Sequence, residues 1–247
     1  SRLGERAVLE KVGVEPTGYS FNSIVRLEGG SNRADNPMVN AGAIAIAGLI
    51  TEASKDKKVD VASIFKGFMD RSDIEIDNEI FSSEVSTGNR NYSIGHLLKY
   101  HGIINGSVEE ALDLYFRGCS TKIDTRDLAI MASTLANFGV NPITKERAIL
   151  EDHTAKVLAV MSTCGLYDYS GEFGFFTGLP AKSGVSGCVI AIVPGVMGLA
   201  LYSPRIDSKG NSLRALGALP YLSEKMNLHI FHPVSHVIKD KRDNEII

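Results

Sequence analysis

The sequence predicts an α/β protein of the α+β kind, an antiparallel sheet flanked by helices with a helical lobe beside it. Three observations carry this. Segments of helical period fill residues 37–164. Two short apolar runs, 188–193 and 196–203, flank Pro194-Gly195 and read as a hairpin of buried strands. One more helical segment, 212–226, follows them. Helices, then strands, then a returning helix is the order of a sheet with helices packed on it. At 247 residues, with 44% hydrophobic and 22% charged, the chain can bury one such core with a lobe. We expect a single domain over 1–247. Its helical lobe covers about 37–164, its sheet-containing part about 1–36 and 165–232, and a charged tail 233–247.

Taken in order, residues 1–12 read as helical, and Glu15-Pro-Thr-Gly18 as a turn. Residues 21–27 read as a short extended piece, and Gly29-Gly30-Ser-Asn as a loop. At Asn36-Pro37 an N-cap amide precedes a proline at the first helical position, so a helix over 38–53 follows. Its Ala and Gly content implies burial on all sides. A charged loop over 54–60 leads to a helix over 61–69. Residues 70–88 have weak periodicity and read as a short helix and a loop. Helices are predicted over 91–99, 108–119, 126–138 and 154–164. Residues 165–178 read as a loop in which Phe173, Phe175 and Phe176 pack a strand.

The composition narrows the function classes. A net charge of −3 gives no electrostatic case for nucleic acid. The longest apolar stretch, 188–201, is broken by Pro194-Gly195 and is too short to span a bilayer. Cys119, Cys164 and Cys188 are few, odd in number and widely spaced. They read as reduced thiols in a cytoplasmic protein rather than a disulfide frame. No signal peptide is visible. The chain opens Ser1-Arg-Leu-Gly without Met, in what reads as the middle or end of a helix, and residues are expected to precede it.

Several residues could carry chemistry. Lys182-Ser183-Gly184 stands just before the apolar hairpin, and a Lys-Ser/Thr-Gly triplet leading into a strand marks serine acylases of the penicillin-recognising type. Its lysine would put positive charge beside the acyl site, and the N–H of Val185 could meet a developing oxyanion. Asn40 follows the Asn36-Pro37 helix start and could bind a polar ligand there; a satisfied core amide is the alternative. Glu84 is read as a loop acid and Asn91 as a helix start, a pair that could grip an ammonium and a carboxylate, or simply a solvated acid and a cap. Tyr115 shares a helix face with Leu112, Phe116 and Cys119, which core packing would also explain. Tyr167 lies among small residues where a phenol could move protons. His229, His232 and His236 are interrupted by Pro233 and joined by no further ligand, so no metal is expected. Ser54-Lys-Asp-Lys57 and Ser63-Ile-Phe-Lys66 match Ser-x-x-Lys, but lie in a charged loop and on an amphipathic helix, and both read as chance matches.

Six stretches together resemble the serine-dependent glutaminase family, which shares the β-lactamase-like fold. They are Glu15-Pro-Thr-Gly-Tyr-Ser-Phe-Asn22, Asn36-Pro-Met-Val-Asn-Ala-Gly-Ala-Ile44, Gly88-Asn-Arg-Asn91, Met131-Ala-Ser-Thr-Leu-Ala-Asn-Phe-Gly139, Met161-Ser-Thr-Cys-Gly-Leu-Tyr-Asp-Tyr-Ser-Gly171 and Gly178-Leu-Pro-Ala-Lys-Ser-Gly-Val-Ser-Gly187. The resemblance runs from about Leu3 to Phe231. It implies a single catalytic domain that hydrolyses L-glutamine to L-glutamate and ammonia. A serine attacks the side-chain amide, a lysine three residues on activates it, and water cleaves the acyl-enzyme. It implies that Asn40, Glu84, Asn91 and Tyr115 hold the amino-acid end of glutamine, with Glu84 on the α-ammonium. Tyr167 is then the catalytic tyrosine, and the N–H of Val185 serves the oxyanion hole. Lys182, Ser183 and Gly184 line the site. No cofactor is implied, and a homodimer or homotetramer is expected by analogy.

The family's Ser-x-x-Lys, with an upstream substrate-binding tyrosine, is expected ahead of Ser1, and the chain as it stands is expected to be inactive without it. Two other readings remain at this stage. A penicillin-recognising hydrolase would cleave a chromogenic β-lactam, although Glu84 as an ammonium ligand argues against it. A non-catalytic relative would bind glutamine or glutamate unchanged.

Overall fold

The computed structural model describes residues 4–29, 32–54, 59–71 and 73–232. The predicted tail lies outside them. Near the N-terminus, α1 (Glu5–Lys11) is an exposed helix. Residues 21–27 are not extended as expected, because α2 (Val25–Gly29) occupies that stretch. The described residues before 37 contribute no strand, only the isolated bridge Val12–Ala34.

The helix predicted after Asn36-Pro37 begins later, as α3 (Asn40–Ser54). The Asn36 side chain does not cap it. Its Oδ1 accepts from Met38 N–H at 3.0 Å and its Nδ2 donates to the Glu15 carbonyl at 2.8 Å. Asn36 therefore closes a turn ahead of the helix, and the turn folds back on it. A Cβ at Gly42 would lie 1.9 Å from the Asn36 carbonyl oxygen. The small residues do bury α3, with Ile44 and Ala45 fully enclosed.

After α4 (Val61–Phe65) the loop and short helix expected within 70–88 follow, with Glu84 in the helix rather than the loop. The weakly patterned stretch before Gly88 is a ten-residue helix, α5 (Asn78–Thr87), whose N-cap Asp77 accepts from the N–H groups of Glu79 and Ile80. Then α6 (Asn89–Tyr100) follows at once, and α7 (Val108–Cys119) has the predicted bounds. The core of this region joins Ile44, Ile94, Leu98, Leu112 and Phe116 from α3, α6 and α7. Its neighbours are α8 (Thr125–Ala136), opened by an Asp124–Asp127 capping box, and α9 (Glu151–Cys164).

Residues 165–178 are helical rather than a loop. A single 3₁₀ turn, Tyr167–Tyr169, runs into α10 (Ser170–Thr177). Of the three phenylalanines expected to pack a strand there, only Phe173 is buried; Phe175 and Phe176 face solvent. The sheet has one strand more than the hairpin alone. Lys182-Ser183-Gly184 lies within β1 (Ala181–Gly184), which pairs antiparallel with β2 (Cys188–Val193), and β2 pairs with β3 (Met197–Tyr202). Side chains alternate across the pleat. Val189, Ala191 and Val193 pack with Leu166, Phe173 and Leu219, the last from α11 (Leu213–Met226). Ile190 and Ile192 pack on the opposite face, with Ala132, Leu135 and Met161 of α8 and α9. The sheet is covered on both faces, and β1 is the edge strand turned toward the helices that precede it.

Candidate active site

Each predicted site residue opens onto one cleft of about 540 Å³, between the α3, α5, α6 and α7 helices and the edge strand β1. Its lining includes Asn40, Glu84, Asn91, Tyr115, Tyr167, Lys182, Ser183, Gly184 and Val185. Neither Ser63 nor Lys66 lines it. Lys57 and His236 lie outside the described residues.

The helical wall is built by a tight corner. Glu84 is not in a loop, as the weak periodicity had implied, but in the last turn of α5, and Asn91 is in the first turn of α6. The corner turns at Gly88, where a Cβ would lie 2.5 Å from the Glu84 carbonyl oxygen and 2.9 Å from Phe116 Cζ. A larger residue there would push the corner off α7. The corner brings acid and amide to the cleft together. Asn40, the first residue of α3, donates its Nδ2–H to Asn91 Oδ1 at 2.9 Å. That bond leaves the Asn91 amide N–H groups as donors for a ligand.

Tyr115, on α7, faces the same space. Burial first, then the neighbouring Cys119 and the Glu84 charge, hold its phenol well above the ordinary range. It stays a neutral hydroxyl, able to donate to an anion. Cys119 is four residues on and opens onto the cleft too. Desolvation at the cleft raises its thiol to about 11, although the residue as a whole is exposed; the hydrogen bond with Tyr115 and the Lys182 charge act against that rise.

Opposite stands Tyr167. Its φ is 59°, a left-handed conformation that is uncommon and strained for an aromatic residue. The strain is held by its flanks: Ser170 Oγ donates to the Tyr167 carbonyl at 2.9 Å and accepts from Leu166 N–H at 3.0 Å. The phenol O–H reaches the Ser183 carbonyl at 3.3 Å. Lys182 Nζ donates to the phenol oxygen at 3.2 Å and to the Ser183 carbonyl, and it sits 4.5 Å from the ring centre. Phe21 packs against the ring, with centroids 5.1 Å apart. Lys182 and Ser183 alternate across β1, so Ser183 is buried and its hydroxyl bonds Asn211. Val185 begins the bend after β1. Gly187 N–H donates to the Gly184 carbonyl at 2.9 Å, making Val185 and Ser186 the central residues of a β-turn.

The cleft therefore offers one carboxylate, Glu84, the neutral donors of Asn40, Asn91 and Tyr115, the Tyr167 phenol with the Lys182 ammonium, and the Arg90 guanidinium. That suits a small zwitterion with a reacting group at its far end. Sequence reasoning missed Cys119, Phe21, Asn22 and Arg90 as wall residues; Arg90 donates to Asn22 Oδ1 at 3.2 Å. For Cys119 the four-residue spacing from Tyr115 on one helix was available as a signal.

A family model described as Glutaminase matches residues 1–231. A glutaminase of Nostoc sp. is 46% identical over 229 residues, 92% of this chain and 68% of that protein. One from Clostridium tetani is 46% identical over 230 residues, 92% of this chain and 75% of that protein. The crystal structure of a Bacillus subtilis probable glutaminase superposes with a TM-score of 0.86 at 36% identity, covering 92% of this chain and 77% of that one. The expected β-lactamase-like fold, antiparallel sheet with helices on it and beside it, is the one observed.

Proposed function

The chain belongs to the glutaminase family, and from that membership we propose that it hydrolyses L-glutamine to L-glutamate and ammonia through a serine acyl-enzyme. The observation that carries the mechanism is the convergence of Glu84, Asn91, Tyr115, Tyr167 and Val185 on one cleft, from five separate places in the chain.

Glu84 accepts from the α-ammonium, a charge-assisted hydrogen bond. Asn40, Asn91 and Tyr115 hold the α-carboxylate. Their donors are neutral, so they bind the anion without a buried counter-charge. With the amino-acid end clamped, the side-chain amide extends toward Tyr167 and β1. The attacking serine and its activating lysine belong to the Ser-x-x-Lys segment expected ahead of Ser1. Tyr167 carries the proton between nucleophile and leaving ammonia, and Lys182 and the Ser183 carbonyl fix its hydroxyl. The N–H of Val185, at the start of its turn, meets the oxyanion of the tetrahedral intermediate.

Among the described residues no helix is long and apolar enough to cross a membrane, and Cys119, Cys164 and Cys188 are free. A cytoplasmic location remains the expectation from the few, odd and widely spaced cysteines. A homo-oligomer is the expected assembly.

The test is glutamate release from L-glutamine, assayed for the full-length gene product and for residues 1–247 alone. The full-length protein should be active and 1–247 inactive. Glutamate release by 1–247 would overturn the placement of the nucleophile. Binding without turnover by the full-length protein would overturn hydrolysis and leave a sensor.

A further inference from the structure

We propose that Asn211, which does not line the cleft, is the positioning residue that sets Tyr167 against the Lys182–Ser183 strand. The inference deepens the reading of Tyr167 as the proton-carrying residue and rests on it.

Asn211 is fully buried. Its Oδ1 accepts from Ser183 Oγ at 2.6 Å, and its Nδ2 donates to the Leu166 carbonyl at 3.4 Å. One planar carboxamide thus ties β1 to the residue just before Tyr167. A carboxamide carries its acceptor and its donor rigidly in one plane, so the two bonds fix both partners relative to each other. Asn211 is itself held in place. Its N–H donates to Asp207 Oδ1 at 2.8 Å, and its carbonyl accepts from Asp207 N–H at 2.8 Å. The same loop reaches the residue after Tyr167, where Lys209 Nζ lies 3.7 Å from Asp168 Oδ2. That pair is exposed and weak; the buried carboxamide is the stronger tie.

The consequence is geometric. The Tyr167 hydroxyl works between the Ser183 carbonyl and Lys182 Nζ, both on β1. Its distance from β1 depends on where the Leu166–Tyr167 backbone sits, and that backbone is in a strained left-handed turn. Such a turn persists only where neighbours over-determine it. Ser170 holds it from the helix side and Asn211 from the strand side. The arrangement also explains Ser183. Its hydroxyl is spent on Asn211, so this serine of the Lys-Ser-Gly triplet acts as a link in the brace rather than as a ligand of substrate.

The experiment is a double-mutant cycle on the full-length enzyme, with steady-state kinetics on L-glutamine for Asn211→Ala, Tyr167→Phe and the double variant. Asn211→Ala should lower kcat by about ten- to a hundredfold, the scale of a misplacement near 1 Å, with KM little changed. In the Tyr167→Phe background the same substitution should cost almost nothing more. Ser183→Ala, which removes one arm of the brace and keeps the residue small, should show a weaker version of the same pattern. It replaces Asn211→Ala in the cycle if that variant does not fold. Penalties that multiply in the double variant would overturn this inference alone, since Asn211 would then act independently of Tyr167. A near-normal kcat for Tyr167→Phe would overturn the reading of Tyr167 and the inference with it.

Discussion

Lys182 Nζ lies 4.5 Å from the centre of the Tyr167 ring and donates to the Tyr167 hydroxyl at 3.2 Å. The ammonium and the phenol come from β1 and from the 3₁₀ turn after α9, fifteen residues apart in the chain. In the proposed mechanism the contact places a positive charge beside an oxygen that gains negative charge during proton transfer, in a partly enclosed site where such a charge counts for more than in water. Together with the Ser183 carbonyl, which accepts from the phenol O–H at 3.3 Å, it fixes the hydroxyl.

Tyr167→Phe should therefore reduce kcat for L-glutamine by about 10²–10⁴-fold, the usual contribution of a positioned acid–base group. The ring, its contact with Phe21 and the shape of the cleft survive, so KM should move little. Steady-state kinetics on the full-length protein check this. A variant with kcat close to wild type would show that the phenol moves no proton in the rate-determining step.

Glu84→Gln keeps the size of the side chain and removes its charge. A charged hydrogen bond is worth about 1.5–3 kcal/mol, so kcat/KM for L-glutamine should fall by about ten- to a hundredfold. The loss should be much smaller for an analogue lacking the α-amino group, which never makes the contact. Measuring both compounds on both proteins decides the matter. Equal penalties would mean that Glu84 supports the α5–α6 corner and does not read the substrate.

The turn at 184–187 allows one backbone N–H to be deleted. Val185 and Ser186 both have negative φ, and Gly187, with φ 97°, closes the turn. This is type I geometry, in which proline is favoured at the first central position. Val185→Pro should keep the fold and lose the proposed oxyanion donor, lowering kcat by about 10²–10³-fold. Thermal melting together with kinetics tests it. A stable variant with unchanged kcat would place the oxyanion hole elsewhere.

Cys119 gives a pH-dependent prediction. Desolvation of the thiol, in a residue otherwise exposed, raises it from an ordinary value of 9.0 to about 11. Because the thiolate is the nucleophile, alkylation by iodoacetamide should be slow at pH 7–8 and rise about tenfold per pH unit toward 11. Peptide mapping separates it from Cys164 and Cys188. The same shift bears on stability. Between these two pH values the folded state keeps a proton that the unfolded state has lost, so this contribution is complete below pH 9 and fades as pH rises through 11. Fast labelling of Cys119 at neutral pH would show that its thiol is not raised.

Much of this protein was legible in its sequence. The α7 boundaries, the 188–203 hairpin, the buried Ala/Gly helix and the closing helix each follow from a period, a cap or a breaker acting within a few residues. The family motifs carried the candidate site residues by position, and the structure brings them to one cleft. Local pattern failed where local signals were weak or pointed elsewhere. The helix that holds Glu84 is short, wholly without buried residues and poor in period, so its Asp77 cap and its junction with α6 at Gly88 define it more than its own sequence does. The Gly-rich, aromatic stretch after Cys164 resembled a loop, yet it forms a helix because Phe173 and Leu166 are buried under the sheet. What only the tertiary structure decided is the juxtaposition. The pairing of Asn40 with Asn91, the seat of Lys182 on Tyr167, and the brace from Asn211 to both Ser183 and Leu166 each join residues from fifteen to fifty-one positions apart. No local period encodes such contacts. The first two exist because the sheet and the α3–α7 helices, each burying its own apolar face, leave a cleft between them where these side chains meet; the third is buried behind it.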